Sequence, residues 1–174
     1  YQFRGKALWS ILYDRFSEFT KNIIIVGLDI DSASTRKDSL ILALKQVKTD
    51  KVLVVDINMP LLSLNSIGKI IEKINYDSVS AITWLDETVF DNQSKAYNSN
   101  PQKCIIEPLQ LFHKDLLLEC LLKDTDRDET EFSKLIFNQT GILPVMVEIP
   151  KLETYKLITK NDAHIIDNMM KASR

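Results

Sequence analysis

Apolar residues Leu8, Ile11, Leu12, Phe16 and Phe19 recur at the three- and four-residue spacing of one helix face, which predicts a helix over 6–19. Residues 22–28 form an unbroken β-branched run, Asn-Ile-Ile-Ile-Val-Gly-Leu, and predict a strand buried on both faces. The polar stretch that follows holds Ser32, Ser34 and Thr35, each a suitable cap for a helix whose inner face is Leu40, Leu44 and Val47. A second buried strand is predicted at 51–57 and ends at Asn58-Met59-Pro60. A helix at 66–74 and a strand at 79–85 come next. Residues 91–102 are polar, lack apolar periodicity and contain Pro101, so they read as a loop or projecting arm. Beyond them the pattern predicts a short strand at Ile105-Ile106 and a helix over 112–122 that turns Leu116, Leu117 and Cys120 inward. A helix at 132–137, a strand at 145–149 and a closing helix at 161–170 complete the chain. Buried runs alternating with amphipathic helices imply a single α/β domain around a mostly parallel sheet.

Composition narrows the function classes. The chain has 174 residues, 45% of them hydrophobic, which is sufficient for a core of its own. With 22 basic against 24 acidic residues there is no cationic surplus for nucleic acid or an anionic membrane. No apolar run reaches the roughly 18–20 residues of a membrane span. The start, Tyr1-Gln2-Phe3-Arg4-Gly5-Lys6, has no apolar targeting segment, so a cytoplasmic protein is expected. Cys104 and Cys120 form no metal-binding pattern, and neither His113 nor His164 has a nucleophile placed to form a triad. The four glycines, Gly5, Gly27, Gly68 and Gly141, are scattered, so no glycine-rich phosphate loop exists in this chain.

Ligands of open α/β sheets bind at the carboxyl ends of strands, which directs attention to Asp56. A carboxylate there suits Mg²⁺, which takes one or two carboxylates and completes its shell with phosphates; the alternative role is to cap a turn. The phrase Val54-Val55-Asp56-Ile57-Asn58-Met59-Pro60 also resembles the phosphoacceptor strand of a response-regulator receiver. Its acidic pair could only be Asp29 and Asp31, which lie too close upstream for a complete β-α unit. Asp124-Thr125-Asp126-Arg127-Asp128 begins like a calcium loop but has Glu129 where the loop needs glycine and Leu135 at its last ligand position.

A longer series of motifs resembles the cytidylyltransferases that act on 2-C-methyl-D-erythritol 4-phosphate or ribitol 5-phosphate. Gly5-Lys6-Ala7-Leu8 resembles the G-K-P-L that opens the family's first long helix. Arg36-Lys37-Asp38-Ser39-Leu40 with Ala43-Leu44 resembles R-x-x-S-V and its trailing A-L. Residues 52–60 resemble V-L-I-H-D-A-A-R-P, with Asp56 as the aspartate and Met59 in place of the arginine. Asp86-Glu87-Thr88 lies where the family has D-T before a dimerisation arm. Gln110-Leu111-Phe112 and Asp115-Leu116-Leu117-Leu118-Glu119 resemble the Q-x-F and D-L-L-L-E that follow the arm. Thr125-Asp126 resembles a T-D before a helix. Lys156-Leu157-Ile158-Thr159 with Asp162 resembles the closing K-I-T-x-P-E-D, with Asn161 at the proline.

The resemblance implies a nucleotide-diphospho-sugar transferase-like, Rossmann-like three-layer fold and transfer of CMP from CTP to a sugar-alcohol phosphate, a step of isoprenoid biosynthesis in part of the family. It implies Mg²⁺ and CTP bound by Asp56, nucleotide contacts from Arg36 and Ser39, and acceptor contacts from Thr88 and Lys156. It also implies a homodimer formed through residues 91–102. Asp56 is expected at the end of a central strand with Arg36 and Ser39 beside it. The family's glycine-rich loop has no counterpart here, so weak CTP·Mg²⁺ binding and little turnover are expected. Three alternatives stand beside this reading. They are a non-catalytic binding or assembly module of the same fold, a relative of the guanylyltransferases of molybdenum-cofactor synthesis (whose D-M-P resembles Asn58-Met59-Pro60), and the receiver-like domain.

Overall fold

The computed structural model describes residues 2–3, 5–84, 89–91, 96–98, 104–125 and 131–172. A short antiparallel pair, β1 (Gln2–Phe3) and β2 (Lys6–Ala7), leads into α1 (Leu8–Phe16). Then come α2 (Arg36–Gln46), β3 (Lys51–Val55), α3 (Leu64–Ile71) and β4 (Ser78–Trp84). A small ribbon pairs β5 (Val89–Asp91) with β6 (Ala96–Asn98). The chain continues through β7 (Cys104–His113), α4 (Lys114–Lys123), α5 (Phe132–Thr140), β8 (Val145–Glu148), a 3₁₀ turn (Lys151–Thr154) and α6 (Lys160–Ala172).

The main sheet has the order β3-β7-β4-β8. β4 and β8 pair in parallel, while β7 runs antiparallel to both β3 and β4. Three of the four strands therefore point the same way, as the α/β pattern implies, with one reversed strand inserted among them. An antiparallel neighbour for β3 does not fit the receiver-like alternative, in which parallel strands flank the phosphoacceptor strand.

Strand alternation divides the core into layers. Leu53 and Val55 pack on one face with Leu12 and Phe16 of α1 and Ile67 and Ile70 of α3. Val52 and Val54 turn to the other face, where Leu44 of α2, Leu117 and Leu121 of α4 and Phe132 and Ile136 of α5 lie. A third cluster joins Phe3, Leu8 and Leu157 to Ile166 of α6. Among the described residues, no helix is long and apolar enough to cross a membrane.

Three expectations need correction. Residues 22–28 form no strand; they carry only an isolated bridge from Val26 to Ile30, and Val26 and Leu28 are exposed. The strand expected at Ile105-Ile106 is ten residues long, so α4 begins at Lys114 and not at 112. β3 stands at the end of the four-strand order, not at its centre.

Candidate active site

The Thr35 hydroxyl accepts the Asp38 backbone N–H at 3.0 Å, which caps α2 and places Arg36 in its first turn. Arg36 Nη2 donates to Asp56 Oδ1 at 2.8 Å, just beyond the end of β3. The guanidinium carbon lies 5.1 Å from the ring centroid of Phe132, the first residue of α5, within cation–π range.

A buried polar cluster fixes that end of α5. Gln110 Nε2 on β7 donates to Ser133 Oγ at 2.7 Å and Ser80 Oγ at 3.3 Å, and the two hydroxyls lie 2.6 Å apart. Beside Arg36, the buried Lys37 donates to the carbonyl and the carboxylate of Asp124 at 2.7 and 2.8 Å, tying α2 to the end of α4. Ser39, one turn further along α2, donates to the Thr35 carbonyl at 2.8 Å and accepts from the Ala33 N–H at 2.9 Å. Its hydroxyl shapes the turn that presents Arg36.

The connection leaving β3 is held from several sides. Asp56 N–H donates to the Pro108 carbonyl at 3.2 Å, and Leu157 N–H to the Asn58 carbonyl at 2.7 Å. From α1, Arg15 donates to the Pro60 carbonyl at 2.7 Å and the Leu62 carbonyl at 2.5 Å. Burial pulls the Arg15 guanidinium below its ordinary value, against the opposing charge of Glu153. Glu153 itself accepts the Ser63 N–H at 2.9 Å. Met59, at the place of the family's arginine, is fully buried in the core and brings no charge to the site.

Lys156 precedes Leu157 and is exposed beside this connection. On the neighbouring β7, Glu107 is a carboxylate only 6% exposed that accepts the Thr83 hydroxyl at 3.1 Å. Burial pushes the Glu107 carboxyl above its ordinary range, with the Thr83 hydrogen bond and the Lys156 charge pulling the other way.

The structure thus joins Arg36 to Asp56, bonds Ser39 within the turn that presents Arg36, and ties Pro108 and Leu157, the neighbours of Glu107 and Lys156, to Asp56 and Asn58. Thr88 lies outside the described residues. Glu107, Thr83, Phe132 and Arg15 are site components that pattern reading missed. The one available signal was Glu107-Pro108, a carboxylate inside an apolar run. Asp56 offers a single carboxylate, and no group of three or more potential metal ligands gathers among the described residues. This donor set fits a hard cation held jointly with a polyphosphate, once Arg36 releases the carboxylate.

No family model matches the sequence, and no curated protein matches it. Solved structures do. A 2-C-methyl-D-erythritol 4-phosphate cytidylyltransferase from Thermus thermophilus superposes with a TM-score of 0.78 at 16% identity, covering 98% of this chain and 92% of that one. The 4-diphosphocytidyl-2C-methyl-D-erythritol synthase from Anaerococcus prevotii gives 0.72 at 21% identity, over 93% and 76% of the two chains. The bifunctional IspDF of Campylobacter jejuni gives 0.67 at 24% identity over 91% of this chain, which spans 40% of that longer protein. The chain has the fold of these cytidylyltransferases. The likeness is one of fold.

Proposed function

We propose that this domain binds CTP with Mg²⁺ and transfers CMP to the phosphate of a small phosphorylated alcohol, sugar-alcohol phosphates being the class the motifs imply. The observation that carries the reading is the Arg36–Asp56 pair at the end of β3, in a fold that matches cytidylyltransferases over nearly the whole chain. In the reaction an acceptor phosphate oxygen bonds to the α-phosphorus of CTP, the bond from that phosphorus to the bridging oxygen breaks, and pyrophosphate leaves. Negative charge grows on the α-phosphate and the leaving group, and catalysis of this kind is chiefly positioning and electrostatic stabilisation.

Asp56 would hold Mg²⁺, whose charge when bound neutralises the phosphates. Arg36, released from Asp56, donates to them as a planar fork, and Phe132 beneath it limits where the guanidinium swings. Ser39 sets the turn that presents Arg36. Lys156 grips the acceptor phosphate, and the motif resemblance gives Thr88, outside the described residues, an acceptor contact as well.

The test is calorimetric titration with CTP and Mg²⁺, followed by an assay of pyrophosphate release with methylerythritol phosphate or ribitol phosphate. Binding that needs both CTP and Mg²⁺, and that Asp56→Asn makes indifferent to Mg²⁺, supports the reading; absence of binding overturns it. A non-catalytic binding module on the same fold is the second reading. The burial of Met59 favours it, because that removes one cation from the site. Nucleotide binding with no pyrophosphate release from any phosphorylated alcohol would select it. We also assign residues 91–102 to a homodimer contact, beginning at the β5–β6 ribbon. Most of that segment lies outside the described residues. Sedimentation equilibrium giving a monomer at high concentration would remove this assignment.

A further inference from the structure

Two segments that carry the site are tied side by side. The Leu157 N–H donates to the Asn58 carbonyl at 2.7 Å, and the Ser63 N–H donates to the Glu153 carboxylate at 2.9 Å. Residues 58–63 and 153–157 therefore run antiparallel, with Asp56 and Lys156 at the same end. Met59, Leu62 and Leu157 are buried and anchor the two segments to the core. What faces water is apolar. Ile57 and Leu64 are the only exposed residues of 56–64, and Leu152, Tyr155 and Ile158 are exposed on the other segment. Ile57 and Ile158, 49% and 64% exposed, each adjoin one partner of the Leu157–Asn58 bond, and Leu64 and Leu152 each adjoin one partner of the Ser63–Glu153 bond. The acidic residues of both segments are engaged, Asp56 with Arg36 and Glu153 with Ser63. A single exposed apolar side chain is ordinary, but apolar pairs at both ties make a stripe, and the stripe ends at the exposed Lys156.

We propose that this stripe takes the hydrocarbon stem of the acceptor, a phosphate monoester of an apolar alcohol whose phosphate lies on Lys156. The inference rests on the CMP-transfer reading and names its acceptor class. A cation at one end of an apolar strip matches an anionic head on an apolar chain. A polyol phosphate would lay its hydroxyls against Ile57 and Ile158 and give up hydrogen bonds to water without replacing them. A hydrocarbon stem covers the same side chains and leaves water together with them. Ile57 and Ile158 are then specificity-determining residues. The reaction at the phosphate is unchanged: its oxygen bonds to the α-phosphorus of CTP, and pyrophosphate leaves.

The experiment is titration of the full chain, without nucleotide, with ethyl, butyl and hexyl phosphate, ribitol 5-phosphate and hexan-1-ol. Affinity is expected to rise about two- to fourfold per added methylene along the alkyl series, the upper figure being that of a fully buried methylene. Ribitol 5-phosphate should bind no more tightly than ethyl phosphate, and hexan-1-ol more weakly than hexyl phosphate. Changing Ile57→Ser and Ile158→Ser together should flatten the series. Lys156→Ala should weaken all the phosphates alike and leave the dependence on chain length. Affinity independent of chain length, an unchanged series in the double variant, ribitol 5-phosphate binding as tightly as hexyl phosphate, hexan-1-ol matching hexyl phosphate, or no binding of any probe overturns the proposal. So does a dimer in sedimentation that the double variant dissociates, which would give the stripe to a second copy. The wild-type series needs no variant to fold. A separate CTP·Mg²⁺ titration keeps the two readings apart: nucleotide binding without chain-length dependence defeats only this proposal, and chain-length dependence without nucleotide binding defeats the CMP-transfer reading.

Discussion

Arg36 and Asp56 meet at 2.8 Å with their side chains 39% and 30% exposed, so water screens the attraction and the pair adds little to stability. The stacking on Phe132 adds a comparable small amount. Arg36→Ala is therefore expected to cost about 1 kcal/mol or less in urea denaturation. The same change should weaken CTP·Mg²⁺ binding about tenfold or more, the effect of removing a charge-assisted donor. A large loss of stability with unchanged nucleotide binding would make the pair a structural feature only. Glu107 carries a different prediction. Burial, the largest influence on it, raises its folded-state carboxyl above the ordinary value near 4.5. The folded chain then holds the proton more tightly than the unfolded chain does. Glu107 contributes most to stability below the ordinary carboxylate range, and that contribution is lost as pH rises through the raised folded value. Glu107→Gln should lack this fall and be more stable than the wild type at neutral pH, with the Thr83 hydroxyl still bonded to the amide oxygen. Denaturant midpoints across a pH series measure it; parallel curves for the two proteins would show that the carboxyl is not desolvated.

At the level of elements, α2 is anchored through a pair far less exposed than Arg36–Asp56. The Lys37 and Asp124 side chains are 9% and 14% exposed and 2.8 Å apart. Removing one partner leaves a charge with poor access to water, so Lys37→Met should cost about 3 kcal/mol and loosen the first turn that presents Arg36. Ser133→Ala deprives the Gln110 amide of its 2.7 Å acceptor and should cost about 1–3 kcal/mol. Chemical denaturation checks both, and costs near zero would mean that these contacts do not hold α2 and α5 in place. Some of this frame was legible and some was not, for physical reasons. The cap at Thr35, the strand ending at Asp56 and the helices with three-and-four spacing depend on local chemistry, and local chemistry is what a sequence displays. Whether residues 22–28 become a strand depends on a partner edge, which no local pattern encodes; their β-branched side chains permit a ladder without creating one. β7 misled in another way. Leu109, Gln110, Leu111 and Phe112 are buried on alternating faces, and a run apolar on both sides carries no period to separate helix from strand. Asp56 could be found from its place at a strand end. Phe132 could not, and Glu107 showed only as a carboxylate inside an apolar run, because both reach the site through long-range contacts with α2 and β4.

Across the whole molecule, the site is a junction of layers that are otherwise packed separately. Arg36 and Phe132 belong to the helices over one sheet face, Asp56 follows the edge strand, and Arg15 and Glu153 reach the 56–63 connection from the opposite side. The closed Arg36–Asp56 pair gives that junction a resting state in which the proposed metal ligand and the proposed phosphate donor satisfy each other. Loading either one alone leaves the other without its partner. Asp56 would have to release the guanidinium to hold Mg²⁺, and Arg36 would have to leave the carboxylate without its counter-charge to hold a phosphate. With both loaded, Asp56 would pair with the cation and Arg36 with the nucleotide phosphates, so neither side chain would be left without a partner. Metal and nucleotide should consequently bind with positive coupling. A ligand that binds only the folded state stabilises it by RT ln(1 + [L]/Kd), about 2.7 kcal/mol at a concentration one hundred times Kd. Mg²⁺ alone and CTP with a chelator should each leave the melting temperature nearly unchanged, whereas the two together should raise it by several degrees. Arg36→Ala frees Asp56 in advance, so this variant should respond more to Mg²⁺ alone and lose the extra gain from CTP. Additive shifts in the wild-type chain, or the same pattern in Arg36→Ala, would show that the pair does not gate the site.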